Sequence, residues 1–290
     1  MTPRPLGPGA GTVPAVGYGG MHLSIQDRPP EPDALRVLAA VLDRDVTLID
    51  TADAYCLDEG EAGHNERLIA RALAGHPARE RVIVATKGGV VRTGGRWDTD
   101  GRPEHLRAAC DRSLRALGVE RITLYQLHAP DPAVPFEESV GALAELRDAG
   151  KIRWVGLSNV RVDQIRSAEA IVPVTTVQNR LNPFFREAIS TGVLRYCTER
   201  GIGFLAYSPV GGGRLNRRLP EHPVLAPIAR RLGVSAHVLV LAWVLAQSPA
   251  VLVIPSARSV EHALDSLRAA DLTLAADDLA AIDRAEFSRA

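Results

Sequence analysis

Apolar and polar positions along the chain follow two alternating rhythms. Short runs rich in β-branched residues predict strands at Ala15–Tyr18, Thr47–Asp50, Val82–Thr86, Thr123–Leu127, Arg153–Leu157, Val174–Gln178, Gly203–Ala206 and Val251–Ile254. Segments with helical spacing separate them. One opens with Pro103 in its first turn, carries Leu106, Cys110, Leu114 and Leu117 as an apolar stripe and stops at Gly118. A second runs from about Phe136 to Ala149, with Gly150 as its stop. A third, capped by Ser235, is apolar on nearly every face through Val238, Leu241, Trp243 and Leu245, which predicts burial between the barrel and other helices. Strand–helix units repeated in this way predict an α/β fold, a parallel (β/α)8 TIM barrel. No Pro/Gly/Ser-rich linker or composition shift divides the chain, so residues 1–290 read as one domain.

In such a barrel all strand ends converge on one face, where chemistry sits. Asp50, Lys87 and His128 stand at or just past the ends of the second, third and fourth predicted strands, and Tyr55 lies on the loop after Asp50. Lys87 is conspicuous because Lys151 is the only other lysine among 34 cationic side chains. An ammonium is compact and tunable, whereas arginine holds a fixed planar fork. Asp50 is expected to keep Lys87 charged and aimed at Tyr55, and the cation to lower the phenol's pKa from near 10. Tyr55 then serves as a general acid and His128 as a donor to the same oxygen. With a hydride donor present, that constellation reduces a carbonyl. The later strands offer a place for a nicotinamide: Ser158-Asn159 and Gln178 for a carboxamide, Tyr207 for the ring face, and Gly211–Gly213 for phosphate. Each residue alone has an ordinary explanation as a cap, a solvated charge or packing. Their joint placement at successive strand ends is what points to a site.

Composition narrows the partners. Positive and negative side chains balance at 34 each without a basic block, so neither nucleic acid nor an anionic membrane is implied. The first nine residues contain no signal-like apolar core, and Val234–Ala246 is too short to span a bilayer. Cys56, Cys110 and Cys197 are scattered, which suits reduced thiols in a cytoplasmic protein. An open dinucleotide-binding sheet is the competing architecture, but Gly17-Tyr18-Gly19-Gly20-Met21-His22 puts histidine where the third glycine belongs. Gly156-Leu157-Ser158-Asn159-Val160 fails the nucleophile elbow at its last position, and no metal-ligand spacing occurs.

Asp50-Thr51-Ala52-Asp53-Ala54-Tyr55, Ala85-Thr86-Lys87, Gln126-Leu127-His128, Gly156-Leu157-Ser158-Asn159, Tyr207-Ser208-Pro209 and Ile254-Pro255 together resemble the aldo-keto reductases over about Gly17 to Leu274. The resemblance implies a (β/α)8 barrel binding NADPH, with NADH as a possible substitute, and reducing an aldehyde or ketone. It places Asp50, Tyr55, Lys87 and His128 in a catalytic tetrad. Asp50, Ser158, Asn159, Gln178 and Tyr207 fall at nicotinamide positions, and Ser208, Val210 and Gly212 at pyrophosphate positions. Gly20 and Met21 match the cofactor-contacting turn. Ser256, Arg258, His262, Asp265 and Ser266 match the grip on the adenosine 2′-phosphate and adenine. Three departures stand out: Cys56 replaces a usual glycine, Asp265-Ser266 replaces Glu-Asn, and His262 stands where arginine is common. No long loop follows the helix expected over Leu274–Phe287, which implies an open pocket bordered by Trp97 and Phe184. No metal is implied. The expected partner is a small carbonyl compound, and the expected state a monomer or weak homo-oligomer. Oxidation of an alcohol such as a pyridoxine-like ring alcohol, or cofactor sensing without catalysis, are the alternatives.

Overall fold

The computed structural model of the protein describes residues 3–289. Parallel strands follow one another around a barrel: β1 (Tyr18–Gly19), β2 (Leu48–Asp50), β3 (Ile83–Gly88), β4 (Ile122–Leu127), β5 (Ile152–Ser158), β6 (Val174–Arg180), β7 (Gly203–Tyr207) and β8 (Val251–Val253). The ring closes where Val16 bridges Val253, and where the amides of Gly17 and Gly19 donate to the carbonyls of Val253 and Pro255 at 2.9 Å. Helices follow the strands in turn: α1 (Glu31–Leu42), α2 (His64–Leu73), α3 (Pro103–Leu117), α4 (Phe136–Asp148), α5 (Val162–Glu169), α6 (Val193–Arg200), α7 (Ala236–Ala246) and α8 (Val260–Leu267). This is the (β/α)8 architecture that the sequence pattern predicts.

Local chemistry explains the boundaries. Pro103 opens α3 and Gly118, at φ 66°, ends it in the left-handed conformation that glycine adopts without a Cβ clash. The Ser235 side chain accepts from the Val238 amide at 3.1 Å and caps α7, whose buried flanks include Val238, Leu241 and Trp243. The first strand departs from expectation. Tyr18–Gly19 pair with β2, whereas Ala15 and Val16 face only β8, so the paired segment is shorter and later than Ala15–Tyr18. β3 and β6 extend to Gly88 and Arg180, which puts Lys87 and Gln178 inside paired strands.

Period-two alternation divides the core into two layers. Leu48, Ala85, Leu124, Leu205 and Leu252 fill the barrel, while Ile49, Tyr125, Val155, Val177, Phe204 and Val253 pack under the helices. The floor was not legible in the sequence. An antiparallel hairpin, Pro3–Pro5 with Thr12–Pro14, closes the end where the strands begin and sends Leu6 and Val13 into the interior layer. Arg4 staples it by donating to the carbonyls of Leu245, Ser248 and Val251 at 2.8–2.9 Å. Among the described residues no single helix is long and apolar enough to cross a membrane.

The hairpin lies so close that a Cβ on Gly203 would come within 1.9 Å of the Leu6 carbonyl oxygen. Gly203→Ala is therefore expected to destabilise the fold by about 1–3 kcal/mol. A lowered thermal midpoint with the far-ultraviolet dichroism retained would show this; an unchanged midpoint would contradict the tight floor.

Candidate active site

The open end of the barrel is built by one inward layer of polar residues directly above the apolar filling. Strand register puts Asp50 beside Ala85, and Lys87 beside Gln126. Gly156 has no side chain because a Cβ there would meet Gln126 Cγ at 2.7 Å and Thr176 Oγ1 at 2.4 Å. The layer therefore holds Asp50, Lys87, Gln126 and Gln178, all nearly or fully buried.

A buried ammonium needs a counter-charge and acceptors for its hydrogens. Lys87 Nζ donates to Asp50 Oδ1 at 2.7 Å, to the Thr51 carbonyl at 2.8 Å and to Tyr55 Oη at 3.0 Å. All three ammonium hydrogens have acceptors, and the lysine is 0% exposed. The other Asp50 oxygen accepts from Gln178 Nε2 at 2.7 Å and from Gln126 Nε2 at 3.5 Å. Burial opposes the Lys87 charge, but the Asp50 carboxylate and the Tyr55 oxygen outweigh it and raise the lysine pKa. The phenol behaves differently from expectation. Burial raises the Tyr55 pKa by more than the Lys87 charge lowers it, so the net shift is upward. The expectation of a lowered phenol pKa is corrected: Tyr55 rests protonated, and Lys87 offsets only part of the cost of forming a phenolate.

His128 follows β4 with its ring centroid 5.7 Å from that of Tyr55, edge to face. Burial and then the Lys87 charge hold its pKa well below the usual imidazole range, so the ring is neutral. Its buried Nδ1 has no hydrogen-bond partner. Trp97 reaches over from the hairpin after β3, its ring 6.4 Å from that of Tyr55.

These groups open on a cavity of about 220 Å³. The aromatic group Tyr55, Trp97 and His128 lines it together with Met21, Ser158, Asn159, Tyr207, Ser208 and Ser256, and Asp50 and Gln178 also reach it. Asn159 links three segments of the lining: its Nδ2 donates to the His128 carbonyl at 3.0 Å and its Oδ1 accepts from Tyr207 Oη at 2.7 Å. Ser158 Oγ donates to the Gln178 carbonyl at 2.8 Å. Asn159 and Ser208 hold left-handed backbone at φ 59° and 46°, uncommon for residues with a side chain.

The remaining residues singled out in the sequence lie elsewhere. Gly20 sits behind Met21, where a Cβ would meet Asn65 Oδ1 at 2.4 Å. Val210 lies in the loop after β7, whose Ser208 carbonyl accepts from buried Asn182 at 2.8 Å, and Gly212 opens the short helix Gly212–Leu215 that follows. Arg258 is exposed and donates to the Gln26 carbonyl at 3.1 Å. His262, Asp265 and Ser266 lie on α8, where Asp265 already accepts from Ser235 at 2.5 Å and pairs with Arg268 at 3.2 Å. Phe184 is not on the cavity wall. It is 5% exposed, packs edge-on to Phe287 at 5.2 Å and lies beneath Gly211, because the turn fixed by Asn182 directs it inward.

Sequence reasoning missed the residues that support these groups: Gln126, Asn65, Asn182, Asp53 and Glu66. Asn65 joins three segments, donating to the Gly20 carbonyl at 2.9 Å and Ser24 Oγ at 2.7 Å while accepting from Thr51 Oγ1 at 2.6 Å. Polar residues at helix starts give no signal of this in a single sequence. Asp53 donates its amide to the Lys87 carbonyl at 3.3 Å, and its carboxylate lies 3.6 Å from Arg112. Glu66, on α2, accepts from Thr86 Oγ1 at 2.6 Å.

The Aldo/keto reductase family model matches residues 15–286. This chain belongs to that family. An uncharacterised oxidoreductase of Schizosaccharomyces pombe is 36% identical over 276 residues, 93% of this chain and 86% of that protein. The crystal structure of an aldo/keto reductase from Klebsiella pneumoniae, in complex with NADP and acetate, superposes with a TM-score of 0.82 at 27% identity, covering 98% of this chain and 95% of that one. The glycerol dehydrogenase AKR11B4 from Gluconobacter oxydans superposes at 0.83 with 26% identity, covering 97% and 94%. The family is thus an oxidoreductase family, and this barrel places its polar layer at the end where TIM-barrel enzymes act.

Burial, then the Glu66 charge, pushes the Asp53 carboxyl up to about 8, with Arg112 pulling the other way. An acid whose folded pKa lies above its unfolded value near 3.9 stabilises the fold below that lower value, and the contribution is lost as pH rises through the folded pKa. Asp53→Asn should therefore gain thermal midpoint relative to the unsubstituted protein as pH rises from about 4 to about 8. A midpoint difference independent of pH would contradict the buried, protonated acid.

Proposed function

We propose that the protein reduces an aldehyde or ketone to an alcohol with NADPH, and that Asp50, Tyr55, Lys87 and His128 carry the reaction. The observation supporting this reading most directly is the buried chain Gln178–Asp50–Lys87–Tyr55, which ends in a protonated phenol on the cavity wall. The non-aromatic part of the lining, with Tyr207, fits a nicotinamide. It offers the flat Tyr207 ring, the amide and hydroxyl of Asn159 and Ser158, and the close backbone of Gly19, where a Cβ would meet the Ile254 carbonyl oxygen at 2.8 Å. When bound there, NADPH supplies the hydride.

The chain's own residues do the rest. Trp97 stands at the rim beside Tyr55, its ring edge to face with the phenol. Neutral His128, as the tautomer with hydrogen on Nε2, donates to the carbonyl oxygen and orients it. As negative charge develops on that oxygen, Tyr55 transfers its proton and the adjacent ammonium stabilises the phenolate left behind. Asp50 and Gln178 keep that ammonium charged and in place. The same groups run in reverse for alcohol oxidation, and likeness to a glycerol dehydrogenase favours that as a second reading. Ser256 in the cavity lining and exposed Arg258, two residues on, support a preference for NADPH over NADH. The buried, unpaired thiols of Cys56, Cys110 and Cys197 agree with a cytoplasmic setting.

Tyr55→Phe removes the donated proton and keeps the ring, so turnover of an aldehyde should fall by about two to four orders of magnitude with NADPH affinity nearly unchanged. Steady-state NADPH oxidation and fluorescence titration measure both, and wild-type turnover would refute the assignment. Arg258→Ala should weaken NADPH much more than NADH in the same titration. An equal loss for both cofactors would remove the 2′-phosphate contact.

A further inference from the structure

We infer that Arg92 is a positioning residue that clasps Trp97 over the reactive wall, and that the site thereby selects carbonyl compounds bearing a planar, conjugated substituent. The inference rests on the carbonyl-reductase reading above and specifies its substrate class.

Trp97 is a large hydrophobic side chain left 49% exposed at the rim of the cavity. It projects from a short hairpin, Val90–Val91 paired with Asp98–Thr99, that leaves β3 just after Lys87. A turn containing Gly94 and Gly95, both left-handed at φ 56° and 78°, would let such a side chain sample many orientations unless something fixed it. Arg92 supplies the constraint. It is 6% exposed, and its guanidinium carbon lies 4.0 Å from the centroid of the Trp97 ring. The same guanidinium donates from Nη2 to the Leu57 carbonyl at 2.9 Å and to the Gly95 carbonyl at 2.7 Å.

Those two carbonyls belong to different segments. Leu57 lies two residues past Tyr55, and Gly95 two residues before Trp97. One planar cation therefore ties the tyrosine loop to the tryptophan turn and serves as the platform on which the indole rests. A second tie, from the Gly94 amide to Glu59 Oε2 at 2.8 Å, joins the same two segments. The other face of the arrangement meets Tyr55 edge to face, with 77° between the rings. Tyr55, Trp97 and His128 thus present aromatic surfaces around the reacting position, and the indole can stack on a planar substituent only while Arg92 holds it. Both carbonyls bond to the single nitrogen Nη2, so what sets arginine apart here is the flat guanidinium face on which the indole rests, a face that a lysine ammonium lacks.

The test compares the unsubstituted protein with Arg92→Met, Arg92→Lys and Trp97→Phe. Each is measured with benzaldehyde and propanal as substrates and by acrylamide quenching of tryptophan fluorescence. In Arg92→Met, KM for benzaldehyde should rise about tenfold, the scale of a lost cation–π contact and its tether. KM for propanal, kcat for propanal and NADPH affinity should each stay within about twofold. Quenching of the Trp97 contribution, assigned by subtraction of Trp97→Phe, should increase. Arg92→Lys should behave like Arg92→Met and decides the clasp if Arg92→Met does not fold, and Trp97→Phe should reproduce the KM split, which tests the indole's part on its own. Equal KM changes for both aldehydes, unchanged quenching in Arg92→Met, or full function in Arg92→Lys would overturn the clasp. If the unsubstituted protein turns over neither aldehyde, the carbonyl-reductase reading fails, while the quenching comparison still decides whether Arg92 positions Trp97.

Discussion

One charge inside a barrel organises this molecule. The Lys87 ammonium is fully buried, and leaving such an ion unpaired costs several kcal/mol, so everything around it must supply compensation. Asp50 provides the counter-charge, the Thr51 carbonyl and Tyr55 oxygen complete the acceptor set, and Gln178 reaches across the barrel to fix the remaining Asp50 oxygen. Strands two, three and six are thereby joined at a single point. The geometry that satisfies the lysine also leaves the phenol with a cation on one side and the cavity on the other.

That arrangement divides labour between storage and reaction. Burial keeps Tyr55 protonated at rest, against the pull of Lys87. In the proposed reaction the cation's effect is therefore greatest when negative charge appears on the phenol or on a neighbouring oxygen, which is the differential stabilisation that catalysis requires. His128, neutral because of burial and the same lysine, would in that reaction add a donor without a second positive charge. Around this centre sits a supporting layer of buried polar residues. Asn65 ties the turn after β1 to the start of the tyrosine loop, Asp53 brackets the Lys87 backbone, and Asn182 fixes the turn at Ser208.

Much of the architecture was legible because it follows from periodicity. The apolar runs alternate with helical patterns, Pro103 and Gly118 bound one helix, and Ser235 caps another. The candidate site was legible for a related reason: strand ends converge in a barrel, so Asp50, Lys87 and His128 could be brought together without knowing any contact. Three things escaped. The N-terminal hairpin is too short and proline-rich to show alternation. The supporting polar residues are ordinary helix-start and loop residues until coordinates show their partners. The sign of the Tyr55 shift depends on depth of burial against one nearby charge, and sequence gives the charge but not the depth. Phe184 was misplaced for the same reason, since nothing local reveals that Asn182 turns it inward.

The dependence of hydride-coupled protonation on the buried ammonium is tested most directly by single-turnover oxidation of bound NADPH in Lys87→Met, set against the unsubstituted protein. The account predicts that the rate with an aldehyde falls by about a hundredfold or more while equilibrium binding of NADPH by the folded variant is retained. Oxidation at the unsubstituted rate in that variant would contradict it.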